Sequence, residues 1–161
     1  MNNQKKGKEF DKYKIQDNEY LFPYHYIPYF DQDNSPHRMR VLQNGFEYLC
    51  YTQYVINLVK NTDSKSILEV GCGDGRILNM LNYKNAVGVD LSGKAITFAK
   101  AFNPDLKLII GDASDIEDCY DIIIAIEVLE HIPNEISDVF WNTLYNKLNL
   151  KGKLIISVPS V

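Results

Sequence analysis

The stretch "ILEVGCGDGR", Ile67 to Arg76, constrains this chain more than any other ten residues. A short apolar run stops at three glycines set two apart, Gly71, Gly73 and Gly75, with Glu69 before them and Asp74 among them. The run reads as a buried strand and the glycines as a turn into a helix. A turn without side chains lets a ligand come close to the backbone. In an open α/β sheet, such a turn lies at the carboxyl ends of the strands, where ligands bind.

The rest of the chain supplies the repeating partners such a turn needs. Ser66–Val70 reads as the first strand, followed by a short helix to about Asn82. "AVGVD", Ala86–Asp90, is a second strand, and Ser92 is placed to cap a helix that runs to about Phe102, before Asn103-Pro104. Leu106–Ile110 is a third strand, and "DIIIAI", Asp121–Ile126, is a fourth, apolar enough to be buried on both faces. Asn134 is expected to cap a helix with the stripe Ile136, Val139, Phe140, Leu144 and Leu148, and "LKGKLIISVP" adds a turn and a fifth strand. Strand–helix alternation at this spacing implies a parallel sheet with right-handed crossovers. The expected fold is α/β: a Rossmann-like parallel sheet of five strands, order 3-2-1-4-5, flanked by helices.

Three segments follow from this. Residues 1–19 are polar and Lys-rich, and are expected to form a flexible tail. Residues 20–62 hold an aromatic arm, "YLFPYHYIPYFDQDNSPHRMR", and then a helix with Leu42, Phe46, Leu49, Ile56 and Val59 on one face. Pro23, Pro28 and Pro36 forbid a long helix within the arm. Residues 63–161 form the ligand-binding body.

Composition excludes several classes. The net charge of -4 argues against a general polyanion binder. Cys50, Cys72 and Cys119 make neither a CxxC pair nor a disulfide framework, which points to a reducing compartment. The N-terminus has no apolar signal region, and no apolar run reaches the roughly 18 residues of a membrane span. The expected location is cytoplasmic.

The glycine spacing also discriminates among nucleotides. A dinucleotide fingerprint requires G-x-G-x-x-G, but Arg76 stands where the third glycine belongs. The G-x-x-x-x-G-K-[ST] loop is absent. Asp90, ending the second strand, is placed to accept hydrogen bonds from both ribose hydroxyls of an adenosine. "GDAS", Gly111 to Ser114, ends the third strand with another acid, and "AIEVLEHIP" follows the fourth.

In order and spacing, "ILEVGCGDGR", "VGVDLS", "GDASDIE", "YDIIIAIEVLEHIP" and "LKGKLIISVP" resemble the motifs of class I S-adenosylmethionine-dependent methyltransferases, over residues 66–160. The resemblance implies S-adenosyl-L-methionine as cofactor. It implies that Glu69, Gly71, Gly73 and Gly75 line the methionine end, with Cys72 as a small residue beside the glycines. Asp90 holds the ribose and Leu91 lies against the adenine. Asp112 and Ala113 meet the adenine edge, and Ala125 and Ile126 approach the methionine amino group through backbone carbonyls. The missing third glycine fits a ligand without pyrophosphate.

His131 and Glu130 are the catalytic candidates. A base near neutral pH serves an acceptor that must lose a proton, and the bland alternative is a positioning role. Glu127, Glu130 and His131 also resemble the metal-binding cluster of methyltransferases that modify the terminal ribose of small RNAs. No later histidine completes that set, and His25 and His37 lie far upstream, so no metal is expected. The aromatic arm reads either as a lid over the cofactor or as packing, and Arg38 and Arg40 are candidates to pair with the cofactor carboxylate. Family members usually carry two further strands after the fifth. This chain is therefore expected to be a fragment or a minimal variant, with an open strand edge that invites a homodimer.

The expected function is methyl transfer to an unidentified acceptor. A small molecule is favoured by the lack of positive charge, and nucleic acid is not excluded. The rival readings are a non-catalytic module that binds cofactor or a partner, the metal-dependent RNA enzyme, and a nicotinamide dehydrogenase.

Overall fold

The computed structural model describes residues 29–30, 36–37 and 42–159, with side-chain surroundings from residue 49 onward. The expected tail, most of the aromatic arm with Arg38, Arg40 and His25, and the side chains of Leu42 and Phe46 lie outside the described residues. The chain divides into two units, Met1–Tyr54 and Val55–Val161.

The first unit contains a two-rung antiparallel ribbon that pairs Tyr29 with His37 and Phe30 with Pro36. Helix α1 (Leu42–Lys60) begins in this unit and ends in the second. Its buried stripe is formed by Val55, Ile56 and Val59. Leu49, expected on the same face, is 47% exposed. It lies two turns earlier, within the other unit, so the helical period alone misplaced it.

The second unit is a five-stranded parallel sheet: β1 (Ile67–Val70), β2 (Ala86–Asp90), β3 (Lys107–Ile110), β4 (Tyr120–Ile126) and β5 (Leu148–Ser157). Its order is β3-β2-β1-β4-β5, as the alternation predicts. Every residue of β1 and β2 is buried, as continuous apolar runs covered on both faces require. On one face, Leu68, Val87, Ile123 and Ala125 pack with Ala113, Ile116, Phe140 and Leu144. Gly88 in β2 leaves room for the elements above it. A Cβ there would lie 2.7 Å from Leu108 Cδ2 and 2.8 Å from both Cys72 Sγ and Leu78 Cδ1.

The helices are α2 (Arg76–Leu81), α3 (Gly93–Phe102) and α4 (Ser137–Asn146). The cap predicted at Ser92 is present: its Oγ accepts from the Ala95 amide at 3.1 Å. The cap predicted at Asn134 is not. Asn134 opens a 3₁₀ turn, Asn134–Ile136, and α4 starts at Ser137 without a side-chain cap. The tighter turn takes Ile136 off the helical line, and only Phe140 and Leu144 of the expected stripe are buried. Val139 is 65% exposed. Leu148 is the first residue of β5.

The turn expected in "LKGK" is a bulge within β5. Pairing jumps from Tyr120–Leu148 to Ile122–Lys153, and Lys151 takes a left-handed φ of 67°. At the sheet's amino-terminal end, Asp121 fastens three segments. Its Oδ2 accepts from the Lys65 and Ser66 amides at 2.8 and 3.1 Å, and its Oδ1 accepts from Asn149 Nδ2 at 2.8 Å. These bonds to the charged form, the Asn149 bond first, hold the Asp121 carboxyl below its ordinary range. Among the described residues, β3 and β5 are the two edges of the sheet.

Candidate functional site

The site is set by where strand pairings part. β1 pairs with β4 as far as Glu69–Ile124. Beyond that point the chain after β1 turns toward β2, where the Gly71 and Cys72 amides donate to Val89 O at 2.8 and 3.1 Å. The last residues of β4, Ala125 and Ile126, pair only with Ile156 and Ser157 of β5. A crevice therefore opens between β1 and β4, the point at which strand order reverses and where open α/β sheets bind ligands.

The glycine loop forms the β1 side of this crevice. Gly71, Gly73 and Gly75 have φ of 71°, 51° and 73°, the left-handed region in which a side chain is strained. Gly71 is also closed by contact: a Cβ there would lie 2.5 Å from Val128 Cγ2. Gly75 passes the chain into α2, donating to Cys72 O at 2.8 Å. The Cys72 side chain is buried against the Gly88 position, and burial pushes its thiol pKa up. What Cys72 offers beside the glycines is backbone.

Glu69 is the unusual group. It is 3% exposed, and its Oε2 has no hydrogen-bond partner. Burial first, and then the negative charge of Asp74, raise its pKa well above the ordinary carboxylate value, while a backbone hydrogen bond from Leu78 opposes them. A buried acid with one unsatisfied oxygen suits a cationic group that arrives from outside.

Asp90 is 2% exposed at the end of β2. Its Oδ2 accepts from the Gly73 amide at 2.9 Å and its Oδ1 from the Ser92 amide at 2.8 Å. The acid expected to hold a ribose thus also holds the glycine loop, a link that the sequence did not disclose. Leu91 follows it and is 44% exposed, an apolar side chain at the strand end. Gly111 N donates to Asp90 O at 2.9 Å and brings the end of β3 alongside. There Asp112 is exposed and caps the 3₁₀ turn Ala113–Asp115, its Oδ1 accepting from the Ser114 amide at 2.9 Å. Ala113, the first residue of that turn, is buried.

The segment after β4 closes the other side. Glu127 has a left-handed φ of 54°, and its Oε1 accepts from Ser157 Oγ at 2.8 Å. Glu130 and His131 lie on the 3₁₀ turn Leu129–His131, with His131 exposed and its Nε2 4.0 Å from Glu130 Oε1. Sequence reasoning missed the roles of Glu127 and Val128, and no residue pattern signals a left-handed glutamate. Among the described residues, no three His, Cys, Asp or Glu side chains converge to hold a metal.

A parallel sheet of this order, with a glycine loop after its central strand and an acid ending the next, is a Rossmann-like ligand-binding domain. Residues 68–156 match the methyltransferase domain family, and the chain belongs to it. It is 30% identical over 92 residues to a ubiquinone biosynthesis O-methyltransferase of Hydrogenovibrio crunogenus, covering 51% of this chain and 38% of that protein. It is 26% identical over 133 residues to an uncharacterized protein of Methanocaldococcus jannaschii, covering 80% of this chain and 56% of that one. The chain thus spans about half the length, or less, of these relatives. In structure it is similar to the N-methyltransferase NodS from Bradyrhizobium japonicum, solved with S-adenosyl-L-homocysteine. There the TM-score is 0.68, with 19% identity over 90% of this chain and 71% of that one.

Proposed function

We propose that this chain transfers a methyl group from S-adenosyl-L-methionine to a small-molecule acceptor. The observation that carries the reading is Glu69: a buried carboxyl with an unpartnered oxygen, two residues before a left-handed glycine loop. That pair suits a zwitterionic amino-acid tail and the positive charge beside it. When bound, the cofactor supplies a methyl already activated by its sulfonium.

The chain's own groups then have these assignments. Glu69, Gly71, Cys72, Gly73 and Gly75 receive the methionine end, the glycines by exposing backbone and Glu69 by its charge. Asp90 accepts from the ribose hydroxyls and Leu91 covers the adenine. Asp112 and Ala113 meet its edge, and the carbonyls of Ala125 and Ile126 face the amino group. Positioning and exclusion of water are the main contributions such a site makes to an in-line displacement. His131, held near Glu130, is assigned to the acceptor side, as base or as positioning group.

The small-molecule reading is supported by the acidic net charge of -4 and by relatives and neighbours whose names speak of ubiquinone biosynthesis and N-methylation. Among the described residues, no helix is long and apolar enough to cross a membrane. Residues 63–161 are taken as the cofactor-binding body, and a cytoplasmic location fits the free cysteines Cys50, Cys72 and Cys119.

The test is a calorimetric titration of S-adenosylmethionine and S-adenosylhomocysteine into the chain and into Asp90→Asn. Saturable binding by the unmutated chain is expected. The variant should bind about ten- to a hundredfold more weakly, the scale of hydrogen bonds to a charged group. No binding by a chain whose thermal transition shows it folded would overturn the reading.

A further inference from the structure

We propose that Glu127 is a positioning residue: by clamping Ser157 it seats Val128 on Gly71, and so sets the glycine loop from the opposite wall of the crevice.

The backbone at Glu127 has φ 54°, a conformation that favours glycine. A glutamate persists there when its surroundings determine it. Two hydrogen bonds to one residue do so. The Glu127 amide donates to Ser157 O at 3.1 Å, and Ser157 Oγ donates to Glu127 Oε1 at 2.8 Å. Together they pin the end of β4 to the last residue of β5.

The left-handed turn determines where the next side chain goes. Val128 packs against the buried cluster that includes Leu68, Val70 and Ala125. Its Cγ2 also fills the space a side chain at position 71 would need, 2.5 Å from that built Cβ. Gly71 in turn donates to Val89 on β2. A continuous line of contact therefore runs from β5 through β4 and β1 to β2, across the crevice. The same residue reaches the other candidate group: Val128 O accepts from the His131 amide at 2.9 Å. Val128 thus meets the wall that carries the glycines through its side chain and the turn that carries His131 through its carbonyl.

The consequence for binding rests on the cofactor reading above, but the clamp does not. The deciding measurement is therefore made without ligand: amide hydrogen exchange in Glu127→Ala, Glu127→Gln, Ser157→Ala and Val128→Ala. The amides of Gly71, Cys72, Gly73 and Gly75 are all hydrogen-bonded, so their rates can be read. In Glu127→Ala and Ser157→Ala they should exchange about tenfold faster, the scale of one lost hydrogen bond, and in Val128→Ala they should also exchange faster, through the lost contact with Gly71. Amides of the β2–β3 pairing should keep their rates. Glu127→Gln retains an acceptor oxygen and should stay near the parent. The double variant of Glu127→Ala with Ser157→Ala should go no further than either single one.

Loop rates unchanged in Ser157→Ala and Val128→Ala would overturn the proposal, and so would an equal acceleration of every amide. If Glu127→Ala does not fold, those two variants decide. An S-adenosylhomocysteine titration of the same proteins completes the test. Binding that weakens in step with the loop rates extends the clamp to the cofactor. An unmutated chain that binds nothing overturns the cofactor reading, while the exchange rates still decide the clamp.

Discussion

The two ends of the sheet carry two acids in opposite conditions. At the amino-terminal end, Asp121 accepts three hydrogen bonds from Lys65, Ser66 and Asn149, and its carboxyl is held below the ordinary range. At the carboxyl-terminal end, Glu69 is buried with one oxygen unpartnered, and its carboxyl is held above it. Left-handed backbone occurs at both ends: at the amino end Lys151 has φ 67° in the β5 bulge. Three glycines and Glu127 lie in left-handed conformations at the carboxyl end. At the amino end Asp121 is satisfied from within the chain. The carboxyl end keeps a buried acid with an unpartnered oxygen, which is what a site made for a ligand looks like before the ligand is considered.

The contrast breaks most severely at Gly71. Gly71→Ala adds a Cβ 2.5 Å from Val128 Cγ2 at a φ of 71°. The left-handed alanine costs about 1–2 kcal/mol, and displacing Val128 adds about 1–3 kcal/mol of overpacking. Denaturant unfolding should show a loss on that combined scale, and S-adenosylhomocysteine binding should fail in the fraction that folds. A variant as stable as the parent that still binds would mean that the loop can move away from Val128.

Asp121→Ala should strike the opposite end alone. Losing its bonds should cost about 1–3 kcal/mol, with ligand affinity unchanged in what folds. The pH dependence has a fixed sign. Because the folded carboxyl titrates below its unfolded value, its contribution is present above about pH 4 and fades as pH falls through the folded value. The stability gap between the parent and Asp121→Asn should therefore narrow from about pH 4 downward. A gap that is flat with pH would show that the hydrogen bonds there do not depend on the charge.

How far the sequence foretells each end follows from what determines it. The strand order, the strand at Ala86–Asp90 and the Ser92 cap were legible, because apolar runs, glycines and a cap before a periodic segment are local signals. Asn134 misled because a good capping residue also starts a 3₁₀ turn, and the choice between the two lies in packing. The Glu127–Ser157 clamp joins residues 30 apart, and Asp121 reaches back 56 residues to Lys65. No window of sequence holds both partners of either contact. The direction of the Cys72 thiol, toward Gly88, was likewise not legible. The candidate site residues the sequence offers are those marked by a missing side chain or by an acid at a strand end. Those that hold them in place could not be read.

The last test of the comparison is Glu69→Gln, which acts through the pH dependence of one carboxyl. The folded carboxyl titrates above its unfolded value, so its contribution is complete below about pH 4.3 and is lost as pH rises through the raised folded value. The glutamine variant, which cannot ionise, should gain on the parent over that interval and hold the gain at higher pH. Binding gives a second, sharper reading. A cationic ligand group beside Glu69 favours the ionised form, so the parent should release a proton as it binds. Titrations of S-adenosylmethionine in phosphate and in Tris, whose ionisation enthalpies differ, should then give different heats for the parent and matching heats for Glu69→Gln. Matching heats for the parent would mean that Glu69 is not the group that meets the positive charge. The unpartnered oxygen would then be only a cost of the fold, and the asymmetry between the two ends would lose its functional half.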